Sequence, residues 1–543
     1  MTGSLIGNSS AGCRMALRFL RGLLVAALVG GCASLPPGSD FPKSASSALA
    51  QPEQTRVGRQ FAGAAREHGG NSAFRMLAVG VDGFLARVQM VNSAERTLDL
   101  QYFIFRADET GKLLTNAVLR AADRGVRIRV LIDDGETVAG DGQLVALDAH
   151  PQIEVRVFNP FLYRGHVQFM RALEFTFSLA RLDYRMHNKL MVVDNAIALV
   201  GGRNIGDEYF QVDPKGQFAD DDIFAAGPIV KELSGTFDEF WNSDMAIPVR
   251  ALGEGAASAT ALAEYRKVLV EHHEEKKADG TDYASRIATG EPLAAMLSGK
   301  LPLVWASARL IHDSPNKKEV VKDGMVGRLM HRPVADAVAA VQSELLMTTP
   351  YLIPGDEGMK LFSDLRKRNV RVRILTNSLE SANVLVAHSG YMGYRPPLLE
   401  GGVEIHEVRS LLGNARGSGQ TASIARFGNY SLHAKLFVFD RRTLFVGSMN
   451  FDQRSMHLNT EIGLIIDSPE LARQAALRFE AMASPPNSYE VVLRASDGAG
   501  SPRLVWRTEE GGRAVEYDRE PARSNAQRFS LHLLSLLPLD AEL

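Results

Sequence analysis

Cysteine is almost absent from this chain. Of 543 residues only Cys13 and Cys32 are cysteine, so no disulfide framework holds the fold and stability has to come from packed cores. An excess of one charge is lacking too. Lys and Arg number 61 against 63 Asp and Glu, a formal net charge of −2. No global basic field therefore advertises a nucleic-acid surface, and no basic stretch is interleaved with aromatics as in single-strand binders. Long apolar runs are also missing. The run over residues 23–29 is too short to span a bilayer. What remains, at 45% hydrophobic and 23% charged, is an ordinary globular composition, in a chain long enough for about two or three domains.

What the chain does have is a pattern written twice. His187-Asn188-Lys189 leads into Leu190-Met191-Val192-Val193-Asp194 and then Gly201-Gly202-Arg203-Asn204. His433-Ala434-Lys435 leads into Leu436-Phe437-Val438-Phe439-Asp440 and then Gly447-Ser448-Met449-Asn450. Both copies read H-x-K-x4-D-x6-G-(G/S)-x-N. Each apolar run has strand character. Residues two apart on an extended chain share a face, so each His and its Lys point the same way. Asp194 and Asp440 then open tight turns, and a second apolar strand returns the chain to Asn204 or Asn450. Each half offers an imidazole, an ammonium and a carboxamide at one sheet edge. A lone His beside a strand is usually structural, but duplication of all five positions argues against that. A Lys beside each His works against binding a cation, so the expectation is an anion site with no metal and no cofactor.

The doubled motif resembles the signature of the phospholipase D superfamily. Further stretches are similar to its bacterial cardiolipin synthase branch: Leu98-Asp99-Leu100-Gln101-Tyr102, Thr376-Asn377-Ser378-Leu379, Ala387-His388-Ser389-Gly390-Tyr391 and Leu534-Ser535-Leu536-Leu537-Pro538. The resemblance implies an α/β fold of two duplicated sandwich halves. Each would be a mixed, largely parallel sheet flanked by helices, and the two would pack with pseudo-two-fold symmetry. Strand–helix–strand spacing over residues 98–132 and 345–375 points the same way. Residues 124–131 and 368–375 are close copies, so the duplication extends beyond the motifs.

The motif residues His187, Lys189, Asp194, His433, Lys435 and Asp440 form the expected catalytic set, with the two Asp read as turn residues. Two imidazoles facing one phosphate suit a two-step displacement. Lys189, Lys435, Asn204, Asn450 and Ser448 would hold the phosphoryl oxygens. Asp222 and Glu461 each follow their Asn and open a short apolar strand; the resemblance implies that they orient the histidines. The residues leave the nucleophile open, and the resemblance leans to His187. Tyr351, His388 and Tyr391 are expected in the substrate pocket together with the unduplicated stretch 161–182, which reads either as a core helix or as a lipid-contacting lip.

At the N-terminus Arg18 and Arg21 precede the short apolar run, and Gly30-Gly31-Cys32 follows. This describes a secretory leader over residues 1–31, with Met1 or Met15 as its start. The small-small-Cys ending resembles a bacterial lipobox and implies lipidation of Cys32. The expected organisation is a linker over 32–75 with one short helix at most, halves over 76–290 and 300–484, and a C-terminal appendix over 485–543 carrying an amphipathic helix at 529–537. The expected activity is phosphatidyl transfer onto phosphatidylglycerol, with phosphatidylethanolamine as a further substrate, at a periplasm-facing membrane surface and more readily the outer membrane. Phospholipid hydrolysis, a nucleic-acid phosphodiesterase and a non-enzymatic envelope lipoprotein are the alternatives. Lipid is favoured over nucleic acid. The oligomeric state is left open.

Overall fold

In the computed structural model, residues 36, 38–135, 141–165, 168–212, 216–252, 258–278, 283, 292–297, 300–325, 329–411, 430–495 and 502–535 are described. The leader over 1–31, Cys32, and Leu536, Leu537 and Pro538 of the tail lie outside them.

The first half contributes β1 (Ser72–Leu77), β2 (Thr97–Tyr102), β3 (Arg127–Asp133), β4 (Ile153–Phe158), β5 (Leu190–Val193), β6 (Ile197–Gly201), β7 (Gln217–Ala219), β8 (Asp222–Ala226) and β9 (Ala246–Pro248). The second contributes β10 (Val304–His312), β11 (Glu344–Thr348), β12 (Arg371–Asn377), β13 (Glu404–Val408), β14 (Tyr430–Leu432), β15 (Leu436–Phe439), β16 (Thr443–Gly447) and β17 (Ile462–Asp467). It ends with β18 (Ser488–Arg494), β19 (Arg503–Glu510) and β20 (Arg513–Tyr517).

The order β1-β8-β6-β5-β2-β3-β4-β9 in one half is repeated by β10-β17-β16-β15-β11-β12-β13-β18 in the other. The duplicated α/β architecture is therefore present, but the sheet is not largely parallel. Parallel pairing in each half is confined to β2-β3-β4 and β11-β12-β13, the strands joined by crossover helices. The short turns after β5 and β15 allow only antiparallel return. Asp194 and Asn195, and Asp440 and Arg441, all sit at φ near +50° (53°, 49°, 52° and 53°), as two-residue hairpin turns require.

β10 pairs with β1 through residues 304–306 and with β17 through 307–312, so it joins the two halves into one continuous sheet. A central core collects β5, β6 and β8 of one half against β15, β16 and β17 of the other, with Ile229–Trp241 and Pro469–Ala483 as its helices. Two outer cores bury the opposite sheet faces under helices such as Gly80–Ser93 and Gly355–Lys367.

Residues read as linker belong to the body. Arg56–Glu67 is a twelve-residue helix capped by Thr55, and β1 is a full strand. Ahead of them residues 43–49 lie under the sheet, where Arg156, Arg129 and Arg127 donate to the carbonyls of Ser44, Ser46 and Ser47. The start of the expected appendix is likewise integral, because β18 occupies the second-half place of β9. Helix Asn525–Leu534 takes up most of the amphipathic stretch expected at 529–537. No helix among the described residues is long and apolar enough to cross a membrane.

Candidate active site

The two motifs meet because each His is stitched to the other half just before its strand begins. The backbone N–H of His187 donates to Thr460 O at 2.9 Å, and that of His433 donates to Ala219 O at 2.7 Å. β7 and β14 pair in parallel beside the second of these contacts. The residue following each contact is an acid of the opposite half. Glu461 places both carboxylate oxygens on His187 Nδ1, at 3.0 and 2.9 Å. Asp220 places Oδ2 on His433 Nδ1, at 2.5 Å. Neither histidine is oriented by its own half.

Asp222 does not orient a histidine. Its carboxylate takes Arg87 Nη1 at 2.8 Å and Arg203 Nη1 at 3.1 Å, all three groups being buried. The register explains the shift of two residues. Gly201 lies opposite Asp222, as Gly447 lies opposite Gly463, so the counterpart of Asp222 is Gly463 and the counterpart of Glu461 is Asp220. A signal was present in the chain: Asp220 and Glu461 stand at equal separations from Pro228 and Pro469, which open the next helices.

Ser448 belongs to the same arrangement and not to a phosphate site. Its hydroxyl donates to Glu461 Oε2 and accepts from the Ile462 backbone N–H at 3.0 Å. Its counterpart Gly202 is small for a reason, since a Cβ there would overlap Asp220 Oδ1. The shorter acid backs onto a glycine, and the longer one onto a hydroxyl.

Lys189 and Lys435 are fully buried, and each ammonium donates to the carbonyl of its own His, at 2.6 and 2.5 Å. Lys435 Nζ also lies 3.1 Å from His433 Nδ1. Asn204 and Asn450 both reach the cavity. The first is spent on Ile104 N–H (3.1 Å) and Tyr209 OH (2.9 Å), while Asn450 Oδ1 is buried without a partner. Asp194 and Asp440 are away from this cluster. They accept from the backbone N–H groups of residues 95–97 and 342–344, fixing the hairpin turns to the neighbouring strands.

Phe103 stacks edge-on to His187 at 5.1 Å, and Tyr209 and Phe218 flank His433 at 5.3 and 5.2 Å. These aromatics carry no distinguishing sequence mark. Nor does the buried pair behind Glu461. Lys317 Nζ binds Asp313 Oδ2 at 2.9 Å, and that same oxygen takes the Glu461 N–H at 3.1 Å.

Burial, then Lys189, Lys435 and Arg454, hold the His187 pKa well below its usual value. Burial and Lys435 push His433 down to about 3, against the pull of Asp220. Burial works to raise Asp220, but His433, Lys435 and Arg203 outweigh it and keep the carboxyl below its usual range. Burial pushes Glu461 up to about 7 and Lys435 down to about 8. In the free site both imidazoles are neutral. A carboxylate only accepts hydrogen bonds, so the Nδ1 facing it carries the hydrogen and Nε2 is left as the acceptor; at His433, Lys435 Nζ lies 3.3 Å from that Nε2.

The cavity above them measures about 760 Å³. The first half supplies Phe103, Ile104 and Asn204 to its wall, the second Tyr351, Val384 and Asn450, and the unduplicated stretch Phe175 and Leu179. Tyr351 is thus where it was expected. His388 and Tyr391 are not. They turn into a buried polar cluster, His388 Nε2 lying 2.7 Å from Glu520 Oε1 and Tyr391 OH donating to Glu407 Oε1 at 2.9 Å. A helix sends one face to a cavity and the other inward, and Ala387 has the cavity side. Among the described residues no cluster of three His, Cys, Asp or Glu is built to hold a metal ion.

The family described as "Cardiolipin synthase, PLD-like domain" matches residues 88–241 and 334–483, one match per half. The chain belongs to the phospholipase D-like cardiolipin synthase family. Cardiolipin synthase C of Escherichia coli is 34% identical over 485 residues, covering 87% of this chain and 97% of that protein. An uncharacterized protein of Helicobacter pylori is 28% identical over 503 residues, covering 92% and 95%. Among solved structures, a phosphatidylserine synthase of Haemophilus influenzae aligns over 79% of this chain and 91% of that chain, at 12% identity and a TM-score of 0.48. This member of the cardiolipin synthase family is an enzyme of the phospholipase D type, and phospholipids are the substrate class of its family.

Proposed function

We propose that the enzyme transfers a phosphatidyl group from one phospholipid to the hydroxyl of phosphatidylglycerol, through a phosphohistidine. One observation carries this reading: two histidines from different halves face one cavity, and each is fixed by a carboxylate from the half opposite its own. One Nε2 attacks phosphorus, and the bond from phosphorus to the leaving alcohol breaks. The other ring, as imidazolium, gives that alkoxide its proton. It then takes the proton of the acceptor hydroxyl, whose oxygen attacks phosphorus and releases the first ring. Phosphatidylglycerol as donor yields cardiolipin and glycerol; phosphatidylethanolamine yields cardiolipin and ethanolamine.

The negative phosphodiester offsets the two ammonium groups that depress both imidazoles, so one ring is able to hold a proton once substrate is bound. Asp220, held ionised, supports a cation on His433 better than Glu461, raised to about 7 and so only partly ionised at neutral pH, supports one on His187. This favours His433 as the proton carrier and His187 as the nucleophile. Lys189, Lys435 and Asn450 neutralise and orient the phosphoryl oxygens. We also place the enzyme at the cell envelope, facing the periplasm and anchored through Cys32, because of the Val29-Gly30-Gly31-Cys32 ending.

The test uses the purified full-length protein with vesicles of phosphatidylglycerol, with and without phosphatidylethanolamine. Mass spectrometry of the lipids should find cardiolipin. Phosphatidic acid alone would make the enzyme a hydrolase. His187→Ala and His433→Ala should each be nearly inactive while folded, and substantial turnover in either would refute the shared site.

A further inference from the structure

The helix Gln168–Phe177 is built the wrong way round for a helix that faces water. A surface helix normally buries its apolar stripe and turns its charges outward. Here the charges point in. Glu174 accepts from the backbone N–H groups of Leu162 at 2.7 Å and Tyr163 at 2.8 Å, and takes Arg181 at 3.2 Å. Arg171 donates to Asp134 O at 2.7 Å, with its guanidinium 4.2 Å over the Phe161 ring. These bonds fix the rotation of the helix. Phe169, Leu173 and Phe177, spaced by one turn each, are left outside, with Phe169 70% and Phe177 50% exposed. Leu162, Met170 and Leu179 widen the same apolar area.

The area is continuous with the catalytic cavity. Phe175, on the same helix, and Leu179 line the cavity wall, so apolar surface runs from outside over the rim and in. Val384, on the opposite wall, is also outward-exposed. The N-terminal chain joins the body at this corner. Gly38 rests against Ile247 of β9, and Met245 next to β9 accepts the N–H of Asn159, where the stretch 161–182 takes root. Exposed apolar area of this kind marks a surface with a partner, and a lipid-handling site that opens through it names the partner.

We infer that the apolar outer face of residues 162–179 docks on the surface of a phospholipid bilayer, so that substrate passes from the lipid phase over Leu179 into the cavity without crossing water. This rests on the proposed phospholipid chemistry. The face lies in the interface and spans nothing.

The experiment places a tryptophan on the face. Phe169→Trp in the full-length protein is mixed with phosphatidylglycerol and phosphatidylethanolamine vesicles whose acyl chains carry bromine near the headgroup. The signal of the wild type, with its three native Trp, is subtracted. Arg442→Trp is the control. It sits in the exposed turn after β15, at the far end of that hairpin from His433. The expected result is a blue-shifted, strongly quenched emission for Phe169→Trp and an unshifted, unquenched one for Arg442→Trp, even if the N-terminus tethers both proteins. Equal behaviour of the two variants on vesicle-bound protein would overturn the inference. So would a blue shift without vesicles that grows with protein concentration, since a second copy of the chain would then cover the face. Turnover of a short-chain, monomeric phosphatidylglycerol with no quenching would sink the docking face alone. Quenching without any turnover of phospholipid would sink the proposed chemistry alone.

Discussion

Replacing Glu461 by Gln separates what the site needs from what the fold prefers. Burial raises the Glu461 pKa from 4.5 to about 7, against the pull of Lys189, the Ser448 hydroxyl, Lys317 and Lys435. The folded pKa lies above the unfolded one, so the folded state binds this proton more tightly. Its contribution is complete below about pH 4.5 and is lost as pH rises through about 7. A gap of that size corresponds to about 3 kcal/mol at pH 8. Gln has the length of Glu and no charge to bury. Glu461→Gln should therefore be more stable than the wild type at pH 8, by up to about 3 kcal/mol, with the advantage shrinking as pH falls toward 5. It should also be a poor enzyme. An amide cannot supply the negative charge that supports a proton or a phosphoryl group on His187, and losing such support costs on the order of 10²–10⁴-fold in rate. Thermal melts at the two pH values, with cardiolipin formation measured by mass spectrometry, test both halves of the prediction. A variant equally destabilised at pH 5 and pH 8, or one that turns over like wild type, would refute the reasoning.

Asp220→Asn should lose activity and also stability at neutral pH, because His433, Lys435 and Arg203 hold its carboxyl below the usual range. Asp222→Asn leaves Arg87 and Arg203 buried without their counter-ion and should cost about 3–5 kcal/mol while His433 keeps its carboxylate, so rates on the two variants separate the two roles. The pH profile of kcat/KM should rise near 7, as Glu461 ionises, and fall near 8, as Lys435 loses its proton. Burial also holds the Lys189 ammonium well below its usual value, so it titrates on the same falling limb. Activity should persist in excess chelator; loss in EDTA, restored by a single divalent ion, would contradict the role given to the two lysines. Cys32→Ser should release the protein from membranes or leave its leader uncleaved, as fractionation and intact mass would show.

Much of this was legible in the chain. A motif repeated at fixed spacing fixes local geometry, because an extended His-x-Lys and a two-residue turn at Asp194 or Asp440 are decided by neighbours a few residues away. The copies at 124–131 and 368–375 became β3 and β12, down to the left-handed residues before them, Gly125 at φ 90° and Asn369 at φ 60°. Strand direction was less legible. Crossover spacing marks β2-β3-β4 as parallel, but the chain does not say how many antiparallel strands will be added beside them.

The division follows the range of the interactions. The chain's own pattern singles out His187, Lys189, His433 and Lys435 as candidates, since their spacing is a local property repeated in two halves. What holds them comes from the packing of one half on the other. Asp220 belongs to His433 and Glu461 to His187 across separations of 213 and 274 residues. Those pairings are set by the register of β8 and β17 and by the packing of one half on the other. A shift of two residues along a strand keeps a side chain on the same face, so Asp220 and Asp222 are equivalent in pattern. Equal spacing to Pro228 and Pro469 pairs Asp220 with Glu461, and the depth at which β8 meets β6 turns Asp222 onto Arg87 and Arg203 instead.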